Sequence, residues 1–467
     1  MPTVAGVDSS TQSCKVVVCD ADTGEVLHQG RASHPDGTEV DPEAWWQALR
    51  TAGGDLLADV DAVAVAGQQH GLVALDGQGA PVRDALLWND TRSAGAAADL
   101  VAELGGPERW AEAVGTVPLA AITVAKLRWM AEHESALADR TAQVMLPHDW
   151  LTWRLRGGPG SGAEPVTDRG DASGTGYWSP AAGDYRRDLL SLAFGGRSPA
   201  LPRVLAPYES AGRTPHGALV APGTGDNMGA ALGLGIGPGD VVVSLGTSGT
   251  VFAVSEEPTV DPSGAVAGFA DATGRFLPLV CTLNAARVLS STARMIGTGL
   301  GDIDLLARTA EPGADGLVFL PYLGGERTPN LPDATGSLVG LRTDNMRPPQ
   351  LARAAVEGML CNMAEALDEL RGRGVDARRV LLIGGAAKAP VVGEIAAEIF
   401  GAPVTVPEPE EYVALGAARQ AAWALAGTPE PPSWPLTGSR LIPAPADGEP
   451  GRRVRAAYAR ARASMHG

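Results

Sequence analysis

One pattern occurs twice in the chain and limits the folds open to it. Val4-Ala5-Gly6-Val7-Asp8-Ser9-Ser10-Thr11 and Val242-Val243-Ser244-Leu245-Gly246-Thr247-Ser248-Gly249 each run an apolar strand into a Gly/Ser/Thr loop. Each loop then leads into a second β-rich strand, Lys15 to Cys19 or Thr250 to Val254. Two copies offset by about half of the 467 residues point to two similar α/β domains, because an internal repeat marks one structural unit used twice. Length agrees, since a single hydrophobic core rarely organises a chain of this size.

The intervening segments read as alternating strands and helices. Thr3 to Val7, Lys15 to Cys19 and the stretch after Asp22-Thr23-Gly24 predict a hairpin and a third strand. Asp41-Pro42-Glu43 supplies an N-cap and a first-turn proline ahead of Trp45, Trp46 and Leu49 on one helical face. Ala62 to Ala66 is a five-residue apolar strand, and a polar loop, Gly67-Gln68-Gln69-His70-Gly71, follows it. Helical periodicity covers Ala94 to Glu103 and Lys126 to Glu134, and Val144-Met145-Leu146 reads as a short buried strand. Gly157 to Ser161 and Asp184 to Pro207 read as irregular surface loops. From Leu351 to Leu370, apolar residues at helical spacing predict a long amphipathic helix. Arg379 to Ile383 is then a buried strand, followed by Gly384-Gly385-Ala386-Ala387-Lys388 and a helix from about Val391 to Phe400.

Charge excludes some partners. With 37 Lys+Arg against 54 Asp+Glu, the formal net charge is −17, which repels nucleic acid and anionic membrane surfaces. A soluble nucleotide remains compatible, because backbone amides and a metal ion can hold phosphates without a basic surface. Cys14, Cys19, Cys281 and Cys361 have neither CxxC nor zinc-ligand spacing, so buried free thiols are expected. No leader-like segment and no membrane-length apolar run is read, which predicts a cytoplasmic protein. Only three of the basic residues are lysine, Lys15, Lys126 and Lys388.

Five loops carry the chemistry. Asp8 ends its strand beside Ser9, Ser10 and Thr11; such an oxygen-rich corner suits a hydrated Mg²⁺, or else Asp8 caps a turn. Leu245-Gly246-Thr247-Ser248-Gly249 is either a phosphate cradle or a tight hairpin turn. Gly223-Thr224-Gly225-Asp226-Asn227 opens a small-residue helix. The positive helix end is expected to keep Asp226 ionised, as a base for a substrate hydroxyl or as a simple N-cap. Gly225, Gly229 and Gly233 would let a ligand and another element come close. Gly384-Gly385-Ala386 after a strand can bring backbone against adenosine or phosphate. Gln69 and His70 follow the carboxyl end of a strand, where open α/β sheets place ligands, and offer donors and acceptors to sugar hydroxyls; a structural histidine is the alternative. Together these loops suit phosphoryl transfer, which relies on positioning, metal and electrostatics and needs no covalent nucleophile.

The motifs resemble those of the FGGY carbohydrate kinases, over roughly residues 3 to 425. Gly336-x-Leu338-x-Gly340-Leu341, Gln350-Leu351 and Ala354-Ala355-Val356-Glu357 are similar to the family's C-terminal signature. Thr123-x-x-Lys126-Leu127-x-Trp129-Met130 fits the N-terminal one except at Ala121. Gly67 to Gly71, Leu87-Trp88-Asn89-Asp90-x-Arg92, Asp168-x-x-Asp171-Ala172-Ser173-Gly174-Thr175, Gly225-Asp226-Asn227 and Gly325-Glu326-Arg327-Thr328-Pro329 resemble segments of the xylulokinase branch.

This resemblance implies two ribonuclease-H-like domains of the actin/sugar-kinase superfamily, 1–238 for the sugar and the Mg-ATP aspartate and 239–467 for the nucleotide, with an interdomain cleft. It implies Asp226 as catalytic base, Asp8 on Mg-ATP, and Gln69, His70 and Asn227 at the sugar. Thr11, Gly246, Thr247, Gly384, Gly385 and Ala386 would surround ATP. The implied reaction is phosphorylation of D-xylulose to D-xylulose 5-phosphate. A sister kinase for ribulose, gluconate or glycerol, and a non-catalytic ATP-binding regulator, are the alternatives. Three departures stand out: Gln69 where many relatives carry Met, Ala386 within a run that is often three glycines, and Trp150 where Tyr is usual. A homodimer is left open.

Overall fold

The computed structural model describes residues 1–436 and 438–466. The chain forms two compact units, the first from Met1–Ile236, Ser255–Leu277 and Glu411–Pro435, the second from Gly237–Val254, Pro278–Glu410 and Leu436–Gly467. It leaves the first unit at Ile236, beside the expected boundary, but two later segments return to that unit.

In the first unit, Thr3–Ser9, Ser13–Asp20 and Val26–Ser33 form an antiparallel meander. Ala62–Gly67 lies parallel to Thr3–Ser9 on its other side, with Asp8 opposite Ala66 and Ser9 opposite Gly67. Both central strands are buried on both faces, which is why they read as nearly continuous apolar runs. Beneath the sheet, Val7, Val16, Val63 and Val65 pack with Trp45, Leu49 and Trp150. The helix Pro42–Gly53 that supplies Trp45 starts as expected, with the Asp41 side chain accepting from the Glu43 amide at 2.9 Å.

The opposite face is covered by the helices Asp226–Leu234 and Tyr412–Ala426. A Cβ on Gly6 would lie 1.9 Å from the Ala414 carbonyl oxygen, and one on Gly416 1.8 Å from that of Gly229. Glycine is therefore what lets helix, strand and helix meet backbone to backbone; the element predicted to approach the small-residue helix is Tyr412–Ala426.

The second unit repeats the plan. Phe276–Thr282, Gly249–Ala253 and Asp240–Leu245 are antiparallel neighbours. Arg379–Ile383 and Val404–Val406 continue the sheet in parallel, and Arg440–Ile442 ends it. Its long helix, Pro348–Gly372, buries Val356, Met359, Leu360, Met363, Leu367 and Leu370, as the periodicity requires.

One region differs from expectation. Asp184 to Pro207 is not irregular throughout: Arg187–Ala193 is a helix and Arg203–Leu205 a strand. The helix is too short to show a period, yet Leu189, Leu190 and Ala193 are buried, so tertiary packing secures what local propensity does not. Among the described residues no helix is long and apolar enough to cross a membrane.

Candidate active site

Asp8 is the penultimate residue of the first strand and is buried. Its Oδ1 accepts from the Ser10 hydroxyl, and its Oδ2 stands 3.4 Å from Lys15 Nζ, which pairs more closely with Glu411, at 2.6 Å. Burial raises the Asp8 carboxyl above the usual range, although Lys15 and Ser10 pull against it. Thr11 Oγ1 accepts from the Trp88 indole N–H at 2.8 Å, so the Leu87 to Arg92 motif steadies this loop.

Asp226 is the first residue of its helix, after the short strand Thr224–Gly225, which aligns Gly225 with Gly67. The backbone amide and Nδ2 of Asn227 donate to Asp226 Oδ1 at 2.8 and 2.9 Å, and the same Nδ2 reaches Gln69 Oε1 at 3.0 Å. Base candidate and sugar-site candidates thus form one hydrogen-bonded set. The expectation that the helix end would hold Asp226 firmly ionised fails: burial, then the negative charges of Asp8 and Asp171, push its carboxyl up to about 7 despite Asn227. Desolvation outweighs the dipole of one short helix. A carboxyl with that value suits a general base better than an ordinary one, because the best proton acceptor titrates near the working pH.

Among the described residues, buried Gln69 Nε2 finds no acceptor, and both polar atoms of buried Gln68 are likewise unpartnered. His70 has φ 67°, in the left-handed region that a non-glycine residue occupies only when its surroundings demand it. Those surroundings are visible: its Nδ1 donates to the Gly174 carbonyl at 2.8 Å, Thr123 Oγ1 donates to its carbonyl at 3.0 Å, and Phe269 lies 5.5 Å from its ring. Trp150, by contrast, is core, packed edge-on against Trp45.

In the second unit, Thr247 is exposed at the hairpin tip. The carbonyls of Gly246 and Thr247 are taken by the amides of Ala286 and Ala285 at 2.8 and 3.2 Å. Gly384 has φ 94°, and a Cβ there would stand 2.6 Å from the Leu245 carbonyl, so only glycine can join this turn to the hairpin strand. Gly385 faces open space, while Ala386 is buried. A residue that sequence reasoning treated only as part of a family motif, Glu326, underlies this loop. Buried, it accepts from the Leu283 and Arg327 amides and from Asn284 and Asn362 side chains at 2.5 to 3.0 Å, and so secures the segment that caps Gly246 and Thr247.

The candidates therefore fall into two groups: Asp8, Thr11, Gln69, His70, Asp226 and Asn227 in the first unit, and Gly246, Thr247, Gly384, Gly385 and Ala386 in the second. Among the described residues no group of three or more His, Cys, Asp and Glu is arranged to hold a metal by itself. Asp8 does fit a magnesium ion of the kind that binds through one carboxylate, waters and substrate phosphates, since it is buried, only loosely paired with Lys15 and flanked by hydroxyls.

Residues 3–235 match the N-terminal domain of the FGGY family of carbohydrate kinases, and residues 241–425 match its C-terminal domain. A xylulose kinase of Streptomyces coelicolor is 48% identical over 443 residues, 91% of this chain and 89% of that protein. A xylulose kinase of Streptomyces rubiginosus matches at the same identity and coverage. The crystal structure of xylulose kinase from Bifidobacterium adolescentis agrees at a TM-score of 0.90 with 45% identity, over 99% of each chain.

Proposed function

The chain belongs to the FGGY family of carbohydrate kinases, and from that membership we infer that it transfers the γ-phosphoryl group of Mg-ATP to the C5 hydroxyl of D-xylulose, giving D-xylulose 5-phosphate. The observation that carries the reading is the Asp226–Asn227–Gln69 set, which couples a carboxyl poised near 7 to an amide whose Nε2 has no protein partner.

Asp226 takes the C5 hydroxyl proton as that oxygen attacks the γ-phosphorus, and ADP leaves. Asn227 holds the Asp226 carboxylate in place through two donors to one oxygen, leaving the other oxygen for the sugar. Gln69 Nε2 donates to a sugar oxygen, and His70 lines the sugar site beside it. Asp8 would hold Mg²⁺, which when bound offsets the charge of the phosphates. Thr11, Gly246, Thr247, Gly384, Gly385 and Ala386 are assigned to the nucleotide, where close backbone and small side chains leave amides open to phosphate oxygens.

The test is ADP release from Mg-ATP by purified protein with D-xylulose, L-xylulose, D-ribulose, L-ribulose, glycerol or D-gluconate, against a control without sugar. A clear preference for D-xylulose is expected. Preference for another acceptor would keep the kinase and overturn the sugar, and release no faster than the control would favour a regulatory ATP-binding role.

A further inference from the structure

Beneath the Asp226 and Gln69 loops lies a buried charged cage that neither the sugar nor the nucleotide assignment uses. His148, fully buried at the start of the helix Pro147–Leu155, has Nδ1 2.7 Å from Asp171 Oδ2; its Nε2 is 3.3 Å from Asp149 and 3.8 Å from Asp168. All three carboxylates are buried. A cation among carboxylates in a protein core is expensive to desolvate, and apolar packing of equal volume is often as stable or more so. Fold stability alone therefore gives little reason for such a cage.

Its contacts supply another reason. Asp168 Oδ2 accepts from Thr224 Oγ1 and the Gly170 amide, each at 2.8 Å, and Oδ1 from the Asp171 amide at 2.9 Å. Thr224 pairs in register with Ala66 and precedes Asp226 by two residues. The His148 side chain is wedged against two glycines: a Cβ on Gly67 would lie 2.9 Å from His148 Cβ, and one on Gly223 2.6 Å from its Cδ2. Gly67 leads directly into Gln69 and His70; Gly223 leads into Asp226 and Asn227. The same 168–174 segment ends at Gly174, whose carbonyl holds His70. One residue thus lies against the base of both loops, His148 Cβ at Gly67 and its ring at Gly223; Asp168 ties into the second loop through Thr224, and the segment that carries Asp168 and Asp171 reaches His70 through the Gly174 carbonyl. Burial would lower the imidazole, but Asp149, Asp171 and Asp168 outweigh it and hold the ring protonated, up to about 9.

We propose that His148 is a positioning residue for phosphoryl transfer: clasped by Asp171 and Asp168, it sets through Gly67, Gly223 and Thr224 the spacing between the sugar-contacting residues Gln69 and His70 and the base Asp226. The inference rests on the reading of Asp226 as base. The effect is specific to the first unit, so the sugar and the chemical step should register it and nucleotide binding should not.

The test compares His148→Gln, His148→Lys, Thr224→Val and Thr224→Ser with the wild type and with Asp226→Asn, measuring kcat, KM for D-xylulose, KM for ATP and the folded fraction. His148→Gln and Thr224→Val should lower kcat per folded molecule by about tenfold to a hundredfold, the scale of small misplacements at a reacting centre, and raise the sugar KM. The ATP KM should stay within about twofold, since a fault confined to positioning leaves nucleotide binding uniform. His148→Lys restores a cation and Thr224→Ser a hydroxyl, and each should recover much of the loss. If His148→Gln does not fold, Thr224→Val decides, because it removes one hydroxyl and little else. Wild-type kcat and sugar KM in Thr224→Val, activity lost only in proportion to folded protein, or a His148→Lys variant no better than His148→Gln would each overturn the proposal. An inactive Asp226→Asn beside such results leaves the base reading standing; a fully active Asp226→Asn removes that reading and this inference together.

Discussion

Replacing Asp226 by asparagine should make the protein more stable and nearly inactive, and the stability gain should depend on pH in a way that identifies its cause. Asp226 Oδ1 accepts both donors from Asn227, and an amide oxygen in its place can accept the same two, so the local geometry survives the change. What disappears is a desolvated charge. The carboxyl titrates at 3.8 when unperturbed and at about 7 in the fold. Because the folded value lies above the unfolded one, the stability this group contributes is fully present below pH 3.8 and is lost as pH rises to about 7. The displacement corresponds to about 4 kcal/mol as a ceiling at pH 8. Asp226 is only half-buried, and water at its exposed edge reduces the effect to about 2 kcal/mol. Denaturation of both proteins without nucleotide at several pH values from 5.5 to 8.5 measures it. The variant should gain on the wild type up to about pH 7 and hold a constant advantage beyond, while kcat falls by about 10²–10⁴-fold, the usual contribution of a general base. A variant no more stable than wild type at pH 8 would refute the desolvated carboxylate, and activity within about tenfold of wild type would refute its role as proton acceptor.

In the wild type, kcat/KM for the sugar should rise with pH through about 7, since the base works only when deprotonated and its pKa is about 7; a flat profile from pH 5.5 to 8.5 would count against Asp226. Gly384→Ala should raise the ATP KM by about tenfold or more with the sugar KM unchanged, because alanine is strained at φ 94° and meets the Leu245 backbone at 2.6 Å; steady-state kinetics against each substrate separates the two. Gly6→Ala should cost about 3 kcal/mol or more, since its Cβ would fall 1.9 Å from the Ala414 carbonyl oxygen in a packed interior; a thermal midpoint close to wild type would show that the helix Tyr412–Ala426 can shift.

The parts of this molecule that could be read from the chain are those written locally. A strand buried on both faces must be an apolar run, and a tight turn between two strands is short, polar and rich in glycine, so Val4 to Thr11 and Val242 to Gly249 announce both strand and loop. Asp226 could be placed at a helix start because the glycines around it have few other uses. Its ionisation could not be placed. Helix position is local and argued for a charged carboxylate, whereas burial and the charges of Asp8 and Asp171 come from elements far apart in sequence. The short helix Arg187–Ala193 was hidden for a related reason, as its stability comes from what it packs against.

His148 marks the limit most clearly. In sequence it is a single histidine between Pro147 and Asp149, ahead of Trp150 and Leu151, where a structural core residue is the ordinary expectation. Apart from the adjacent Asp149, its partners lie at 168 and 171, the threonine that Asp168 binds lies at 224, and the two glycines that receive its side chain lie at 67 and 223. No window of any useful length contains even two of the three groups it joins. Each piece was nonetheless legible alone: the Asp168-x-x-Asp171 spacing, the glycines closing both loops, and a threonine two residues before Asp226. Two carboxylates from one short turn, directed at a buried interior, require a cation on energetic grounds, and the few basic residues with a short reach to the sheet could have been searched for it. Two carboxylates buried together, even where one of them caps a short turn as Asp168 does, therefore predict a partner of opposite charge elsewhere in the chain, and in this fold that partner lies against the loops that carry the residues assigned to the reaction.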